Sequence, residues 1–378
     1  MIEYVPGLSG VPVSKTKVSY LDGQKGILEY RGLRIETLAE KGNFIETAFL
    51  LLFGKLPDRI ELERFSADVR AHRKIKFRII DLIKCLPENG HPMDALQAAV
   101  AALGMFYPTR GDVRNPENQY WSAVRLIAKL PTIVAAEARI RRGDEQISPR
   151  DDLSHAENFL YMLTGRVPEK LMADILDTAL ILHAEHTMNA STFSGMVTAS
   201  TLADPYTVVS SAVGTLKGPL HGGANEEVLD MLQEIGSVQK VRPYLQDKIA
   251  RKEKIMGLGH REYKVKDPRG VILQGLSKRL FDRYGASVLY PVLQEVERVA
   301  EELLSEKKVH PNVDFYSGIV YQKMGIEADL FTPIFAMARV VGWLAHWIEQ
   351  VQDNHLFRPV DIYEGKREME YVPLEKRD

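Results

Sequence analysis

Apolar residues recur three and four positions apart along most of the chain, which is the spacing of helices with one buried face. The stretch from Pro168 to His183 follows this spacing. Residues 92–106 are apolar nearly all round, as in a helix buried in a core or at a subunit interface. Strand-like sequence is sparse and clearest at residues 17–21 and 26–30, which flank the turn-forming pair Asp22-Gly23. The pattern predicts an all-α protein with a small N-terminal β-hairpin.

Several helix boundaries carry their own signals. Asp267-Pro268 is a cap and first-turn pair that predicts a helix reaching Tyr284. Asn225 is placed to cap another helix, which ends at Gly236. Asp314, in contrast, lies among aromatic residues in a short stretch that resembles a strand.

Composition narrows the function. The 378 residues include 49 Lys and Arg against 51 Asp and Glu, a net charge of −2, which argues against a protein that coats nucleic acid or an anionic membrane. The single cysteine, Cys85, excludes an intramolecular disulfide. The N-terminus lacks a signal peptide, and no uninterrupted apolar run reaches about 18 residues. We therefore expect a cytoplasmic protein.

His221 lies between Pro219 and two glycines, just before a predicted helix. The positive end of that helix favours a neutral imidazole, which can donate a hydrogen bond to a developing oxyanion. A loop histidine that binds local carbonyl groups is an equally good interpretation of this segment.

His260 follows Gly257-Leu258-Gly259 and precedes Arg261, Lys264, Lys266 and Arg269. Four cations so close together form either a solvated basic surface or a binding loop for phosphate or carboxylate. The segment is not a dinucleotide fingerprint, because Glu262 stands where the third glycine is required.

Three further points concern isolated polar residues. Asp314 is either a base whose pKa is raised by apolar neighbours or, more commonly, a helix cap. Arg339 lies in an apolar helix without a carboxylate three or four residues away, so it needs a distant acid or a bound anion. His183 and His186 are three apart, but the His-Glu-X-X-His zinc motif is absent, which favours core-facing or substrate-facing histidines over metal ligands.

Taken together and in order, these segments resemble the motifs of the citrate synthase family across nearly the whole chain. Each motif is weak alone, but seven in the family order are very unlikely by chance. The motifs are Tyr30-Arg-Gly32, His183-Ala-Glu-His186 with Asn189-Ala-Ser-Thr192, Gly218-Pro-Leu-His221-Gly-Gly-Ala-Asn-Glu226, Gly257-Leu-Gly-His260 with Asp267-Pro-Arg269, Asn312-Val-Asp314, Arg339 with Gly342-Trp-Leu-Ala-His346, and Leu356-Phe-Arg-Pro359.

The resemblance implies a helical homodimer in which each chain has two domains. The large domain would comprise residues 1–217 and 321–378, and a small domain, residues 218–320, would be inserted between them. The implied reaction condenses acetyl-CoA with oxaloacetate and then hydrolyses the thioester. The family needs no metal and no tightly bound cofactor, since acetyl-CoA is a co-substrate.

The resemblance also implies roles for individual residues. Asp314 would remove a methyl proton from acetyl-CoA, His221 would donate to the enolate oxygen, and His260 would polarise and then protonate the oxaloacetate carbonyl. The dicarboxylate would be held by His186, Arg269, Arg339 and, from the other subunit, Arg358. CoA would be contacted by Gly257, Leu258, Gly259 and Lys264.

Three alternatives stay open at this stage. A 2-methylcitrate synthase shares every motif and differs in using propionyl-CoA, one methylene larger. A metal-dependent hydrolase would use the histidines as ligands. A helical scaffold without chemistry would use none of these residues.

Overall fold

The computed structural model describes residues 4–108, 112–304 and 309–377. Within these ranges it contains sixteen α-helices and three short strands. The first ten helices are α1 (Ile35–Lys41), α2 (Phe44–Phe53), α3 (Arg59–Ala71), α4 (Phe77–Lys84), α5 (Pro92–Phe106), α6 (Pro116–Ile140), α7 (His155–Thr164), α8 (Lys170–His183), α9 (Ala190–Ser200) and α10 (Pro205–Leu216). The remaining six are α11 (Ala224–Ile235), α12 (Val238–Ala250), α13 (Pro268–Tyr284), α14 (Tyr290–Leu303), α15 (Val313–Lys323) and α16 (Phe331–Gln352). The predicted all-α class is confirmed.

The N-terminal hairpin is also present. Strands β1 (Ser19–Asp22) and β2 (Ile27–Tyr30) pair antiparallel, and a third strand, β3 (Leu33–Arg34), which was not predicted, adds to β2. The first strand begins two residues later than predicted. The Asp22 carboxylate accepts hydrogen bonds from the backbone N–H groups of Gln24 and Lys25, which shapes the turn.

Two predicted helices with a proline after a capping side chain begin and end where the sequence predicts. Helix α13 spans Pro268–Tyr284, and the Asp267 carboxylate accepts the backbone N–H of Arg269. Helix α5 spans Pro92–Phe106. Helix α8 begins at Lys170, two residues after the predicted Pro168.

Two predictions at helix starts are wrong. Asn225 is not a cap, because α11 begins at Ala224 and its capping residue is Gly223, so Asn225 lies inside the first turn and is buried. Asp314 does not lie in an extended stretch, and it does not cap the helix either. Asn312 caps α15 with its side chain, which places Asp314 in the first turn. In both cases a neighbouring residue occupies the capping position.

Helix α16 is the centre of the core. It packs against α2, α5, α6, α8, α9 and α10. Among the described residues, Ala328–Gln352 is the one helical stretch long and apolar enough to span a membrane, but 89% of its most apolar window is buried inside the fold. That burial is typical of a core helix in a globular protein.

Helices α11 to α15 form a second group. Helix α11 packs on α12, α14 and α15, while α13 packs on α15 and also reaches α1 and α8. This group lies almost wholly within the predicted insertion of residues 218–320, although α15 continues to Lys323. The division into two domains stays a prediction.

One close backbone contact holds α16 to the segment after α8. The N–H of Gly342 donates to the carbonyl of Ala184 at 3.1 Å. A β-carbon at Gly342 would overlap the Glu185 carboxylate and lie 2.6 Å from the Ala184 carbonyl oxygen. Only glycine therefore fits at this crossing.

We predict that Gly342→Ala lowers the free energy of unfolding by at least about 1–3 kcal/mol, because the new methyl group forces the two segments apart. Urea unfolding followed by circular dichroism measures this. Gly275→Ala is the matched control, since Gly275 also lies in a helix but has open space around it. An unchanged midpoint for Gly342→Ala would contradict the close contact.

Candidate active site

Six of the predicted site residues interact electrostatically in one region where several helix ends meet. Two of the six are guanidinium groups, and their charges shift the pKa values of the other four. The six are His186, His221, His260, Arg269, Asp314 and Arg339. The fold therefore brings together residues that are up to 153 positions apart in the chain, from His186 to Arg339.

His221 is held by the start of helix α9. Its Nε2 accepts the backbone N–H of Ser191 at 3.3 Å and lies 2.8 Å from the Ser191 hydroxyl. That hydroxyl also lies 2.8 Å from Asn189 Oδ1 and accepts from the indole N–H of Trp343. Because Nε2 is an acceptor, the proton of the neutral ring is assigned to Nδ1. Burial, followed by the charge of Arg339, lowers the pKa of His221 to about 4.

The helix that fixes His221 is not the one that the sequence suggested. We expected the following helix, α11, to favour the neutral ring, but the direct contact comes from α9, thirty residues earlier. Ser191 belongs to a motif that the sequence singled out, although nothing in that motif indicated this partner. The physical effect is the same, since a helix N-terminus disfavours the imidazolium.

His260 has the opposite arrangement of ring nitrogens. Its Nδ1 accepts the backbone N–H groups of Glu262 at 3.0 Å and Tyr263 at 3.3 Å. The neutral ring therefore carries its proton on Nε2, as a donor. Burial, followed by the charge of Arg269, lowers the pKa of His260 to about 4, so the ring is neutral at pH 7.

His186 is buried, and its ring is edge-on to that of His260, with 5.2 Å between centroids. Its Nε2 lies 3.3 Å from the hydroxyl of Tyr263. Burial, followed by the charge of Arg269, holds the pKa of His186 well below its ordinary value. Tyr263 was missed by the sequence analysis. Its position in the sequence was a possible signal, because Tyr263 is the lone aromatic residue within the run of four cations from Arg261 to Arg269.

The two guanidinium groups have different surroundings. Arg269 is buried and forms two hydrogen bonds with Asp267, at 3.1 and 2.8 Å. Burial alone would lower the pKa of Arg269, but the Asp267 carboxylate raises it above the ordinary value. The sequence identified Asp267 only as a helix cap, and the structure shows that the same carboxylate also pairs with Arg269.

Arg339 is fully buried in α16 and donates from Nε to the carbonyl of His183 at 2.7 Å. Its guanidinium lies 4.7 Å from the centre of the Phe335 ring. Burial lowers the pKa of Arg339 to about 10, so the group stays charged at pH 7. No carboxylate among the described residues forms an ion pair with Arg339. The nearby Glu185 carboxylate pairs with His346 at 3.0 Å instead.

Asp314 is the acidic group of the site. Burial raises its pKa to about 6, while the charges of Arg269 and Arg339 act in the opposite direction. Its backbone N–H donates to the Asn312 side chain at 2.9 Å. A carboxylate with a pKa near 6 is ionised at pH 7 and is a stronger base than a surface carboxylate.

The glycine segment before His260 is tied to the segment before Asp314. The N–H of Gly259 donates to the carbonyl of His310, and the side chain of Asn312 donates to the carbonyl of Gly259. Gly257 has a φ of +74°, and a β-carbon there would lie within 3 Å of Val228 and Phe315. This contact holds the His260 loop and the start of α15 together.

A cavity of about 110 Å³ lies beside this contact, lined by His260, Lys264, Asp267 and His310 among others. The Lys264 ammonium donates to the carbonyl of Arg261, at 3.1 Å. Lys266, a neighbouring cation, pairs with Glu301 at 2.7 Å.

Arg358 lies outside this cluster, and His183 lies at its border. Arg358 is exposed in the C-terminal segment and donates to the carbonyl of Pro359. His183 is buried, with Nδ1 2.7 Å from the Ala179 carbonyl and its ring against Phe335. His183 is therefore core-facing. Among the residues that the structure describes, no three His, Cys, Asp or Glu side chains are grouped to hold a metal ion.

Comparisons with known proteins agree with this site. The family model described as citrate synthase, C-terminal domain, matches residues 7–360. The chain is 58% identical to a citrate synthase from Synechocystis sp., over 98% of this chain and 93% of the relative. It is 42% identical to the crystal structure of citrate synthase from Pyrobaculum aerophilum, with a TM-score of 0.94 over 98% of this chain and 95% of that chain.

A further similar structure is that of citrate synthase from Thermoplasma acidophilum, solved as a ternary complex with carboxymethyl coenzyme A and oxaloacetate. It is 34% identical, with a TM-score of 0.94 over 99% of this chain and 100% of that chain. These likenesses extend over nearly the full chain and define an enzyme that catalyses a transferase-type condensing reaction. The chain belongs to the citrate synthase family, as the motifs predicted.

Proposed function

We propose that this enzyme condenses acetyl-CoA with oxaloacetate and hydrolyses the resulting thioester, releasing citrate and CoA. The observation that carries the proposal is the protonation pattern of the site. Asp314 has a raised pKa, and the neutral rings of His221 and His260 have their protons on opposite nitrogens. Two guanidinium groups lie alongside.

The first step removes a methyl proton from acetyl-CoA. The α-proton of a thioester is weakly acidic, so a carboxylate base needs help from a donor that binds the developing enolate oxygen. Asp314 accepts the proton, and His221 donates its Nδ1–H to the oxygen. Because His221 is neutral, it donates a hydrogen bond without competing with Asp314 for the proton.

The second step forms the carbon–carbon bond. Arg269, Arg339 and His186 bind the two carboxylates of oxaloacetate, which supply the negative charge that Arg339 lacks in the free enzyme. His260 donates from Nε2 to the ketone oxygen and gives that proton to the forming alkoxide as the enolate carbon attacks. The proton that Asp314 took from the methyl group then returns to the His260 ring through solvent, so both groups regain their starting forms. Water then hydrolyses the thioester, and CoA leaves as the thiol.

We further propose that residues 218–320 move as a small domain against the rest of the chain. Asp314, His221 and His260 would then lie on the small domain, with His186 and Arg339 on the large one. Closing the cleft completes the site and excludes water from the enolate. CoA would be a co-substrate contacted by Gly257, Leu258, Gly259 and Lys264, of which Gly259 and Lys264 line the cavity.

We propose that Arg358 completes the site of a second chain in a homodimer. In one chain it is exposed and donates only to the neighbouring Pro359 carbonyl among the described residues. Its segment, residues 355–377, carries many exposed large apolar side chains, including Leu356 and Val360. A surface of that kind is typical of an interaction site.

The base is tested by Asp314→Asn. We expect kcat to fall at least about 100-fold, because an amide cannot accept the methyl proton. Thiol release from acetyl-CoA in the presence of oxaloacetate measures turnover. In the wild type, kcat/KM should fall as the pH drops below about 6, where Asp314 becomes protonated.

Asp247→Asn is the control, since Asp247 is an exposed carboxylate of α12 that pairs with Arg251. It should leave turnover unchanged. Full turnover by Asp314→Asn would contradict the role of Asp314 and would favour a scaffold without chemistry.

The acyl group is tested by comparing kcat/KM for acetyl-CoA and propionyl-CoA. We expect acetyl-CoA to be preferred, with one methylene worth about 1–3 kcal/mol in an apolar pocket. A clear preference for propionyl-CoA would replace this proposal with 2-methylcitrate synthase. Loss of activity after exhaustive chelation would favour the metal-dependent hydrolase instead.

The shared site is tested by mixing two inactive variants, Asp314→Asn and Arg358→Ala, after reversible dissociation. A mixed dimer holds one site with both native residues, because Arg358 then comes from the chain that lacks the base. Random mixing should restore about a quarter of wild-type activity, as expected for a two-fold dimer with one intact site in half of the molecules. No recovery would show that Arg358 does not act across chains.

A further inference from the structure

The tip of the N-terminal hairpin packs directly on the loop that carries His260. The backbone N–H of Lys264 donates to the carbonyl of Gly23 at 2.9 Å. A β-carbon at Gly23 would overlap the carbonyl oxygen of Glu262 and lie 3.2 Å from the backbone nitrogen of Tyr263. A β-carbon at Gly26, in the same turn, would lie 2.9 Å from the Val265 side chain.

The peptide that Gly23 touches, Glu262–Tyr263, supplies one of the two N–H groups that hold His260. The N–H groups of Glu262 and Tyr263 donate to His260 Nδ1 and leave Nε2 as the proton-bearing nitrogen. A displacement of this peptide therefore changes both the direction of the ring and the position of its proton. Gly23 has no contact with the ring itself among those described, so its effect would act through the peptide.

The base of the same hairpin is anchored at the other side of the site. The Ser19 hydroxyl donates to the Glu185 carboxylate at 2.9 Å, and the Tyr30 hydroxyl donates to the Glu185 carbonyl at 2.8 Å. Glu185 directly precedes His186. One rigid antiparallel element thus contacts the segments that carry both His186 and His260.

We infer that the hairpin is a positioning element for the condensation step, and that Gly23 sets the orientation of His260 through the Glu262–Tyr263 peptide. The inference rests on the proposed function, because it assigns His260 to the oxaloacetate carbonyl. Asp314 and His221 are held by α15 and by α9, so the hairpin acts on one half of the chemistry and leaves the other half intact.

The test measures enolisation and condensation separately in the Gly23→Ala variant. Enolisation alone is followed as exchange of the acetyl-CoA methyl protons in D₂O. In this assay a four-carbon dicarboxylate without a ketone group occupies the oxaloacetate site. Condensation is followed as citrate formation. We expect citrate formation to fall about 10-fold to 100-fold, as for a small displacement of a catalytic group, and proton exchange to stay within about two-fold.

Gly275→Ala is the matched control, because it adds the same methyl group in open space and should change neither rate. Asp22→Ala is a second, milder variant that removes the acceptor shaping the turn, and Asp22→Asn, which keeps an acceptor oxygen, should restore the rate of citrate formation. These variants keep the inference testable if Gly23→Ala does not fold.

Two outcomes would overturn the inference. Unchanged citrate formation in Gly23→Ala and Asp22→Ala would show that the hairpin does not position His260. An equal fall in both half-reactions would show that it supports the fold or closure in general. Failure of the proposed function is seen in the wild type. If the wild type forms no citrate from acetyl-CoA and oxaloacetate, the proposed function is wrong, whatever the variants do.

Discussion

The site depends on a buried positive charge that has no paired carboxylate. Arg269 is neutralised by Asp267. Among the residues that the structure describes, Glu185 is the carboxylate that acts most strongly on Arg339, but it pairs with His346 instead. Placing a guanidinium in an apolar helix is costly unless a negative group joins it. The charge of Arg339 adds to burial in lowering the pKa values of His186 and His221, while Arg269 acts on His186 and His260. The unpaired guanidinium also favours an anionic ligand at this place.

A neutral histidine donates one hydrogen bond and accepts one, so the nitrogen that accepts a backbone N–H decides which nitrogen carries the proton. The direction of each ring is set by backbone N–H groups rather than by a carboxylate, at the start of α9 for His221 and in the turn after His260 for the other. Backbone groups cannot be displaced without moving the chain. The tautomers are therefore properties of the fold, and one residue type presents its proton from two different nitrogens in one site.

Local signals predicted the parts of the fold that depend on local interactions. Asp267-Pro268 sets the start of α13 by itself, since both the cap and the fixed proline φ act within one turn. Asn225 and Asp314 were misassigned because residue types that cap helices also occur in the first turn, and in this fold Gly223 caps α11 and Asn312 caps α15. The contacts of His221 with Ser191 and of Gly23 with Glu262 join distant segments, so no pattern in either segment indicates them.

The position of α16 near the end of the chain has a consequence for synthesis. Its partners α2, α5, α6, α8, α9 and α10 all emerge from the ribosome before it does. Their apolar faces stay uncovered until residue 352 has been made, and long-range contacts of this kind slow folding and favour aggregation. A nascent chain of this enzyme is therefore most in need of chaperone protection until α16 has emerged, and truncation within α16 leaves that surface permanently exposed.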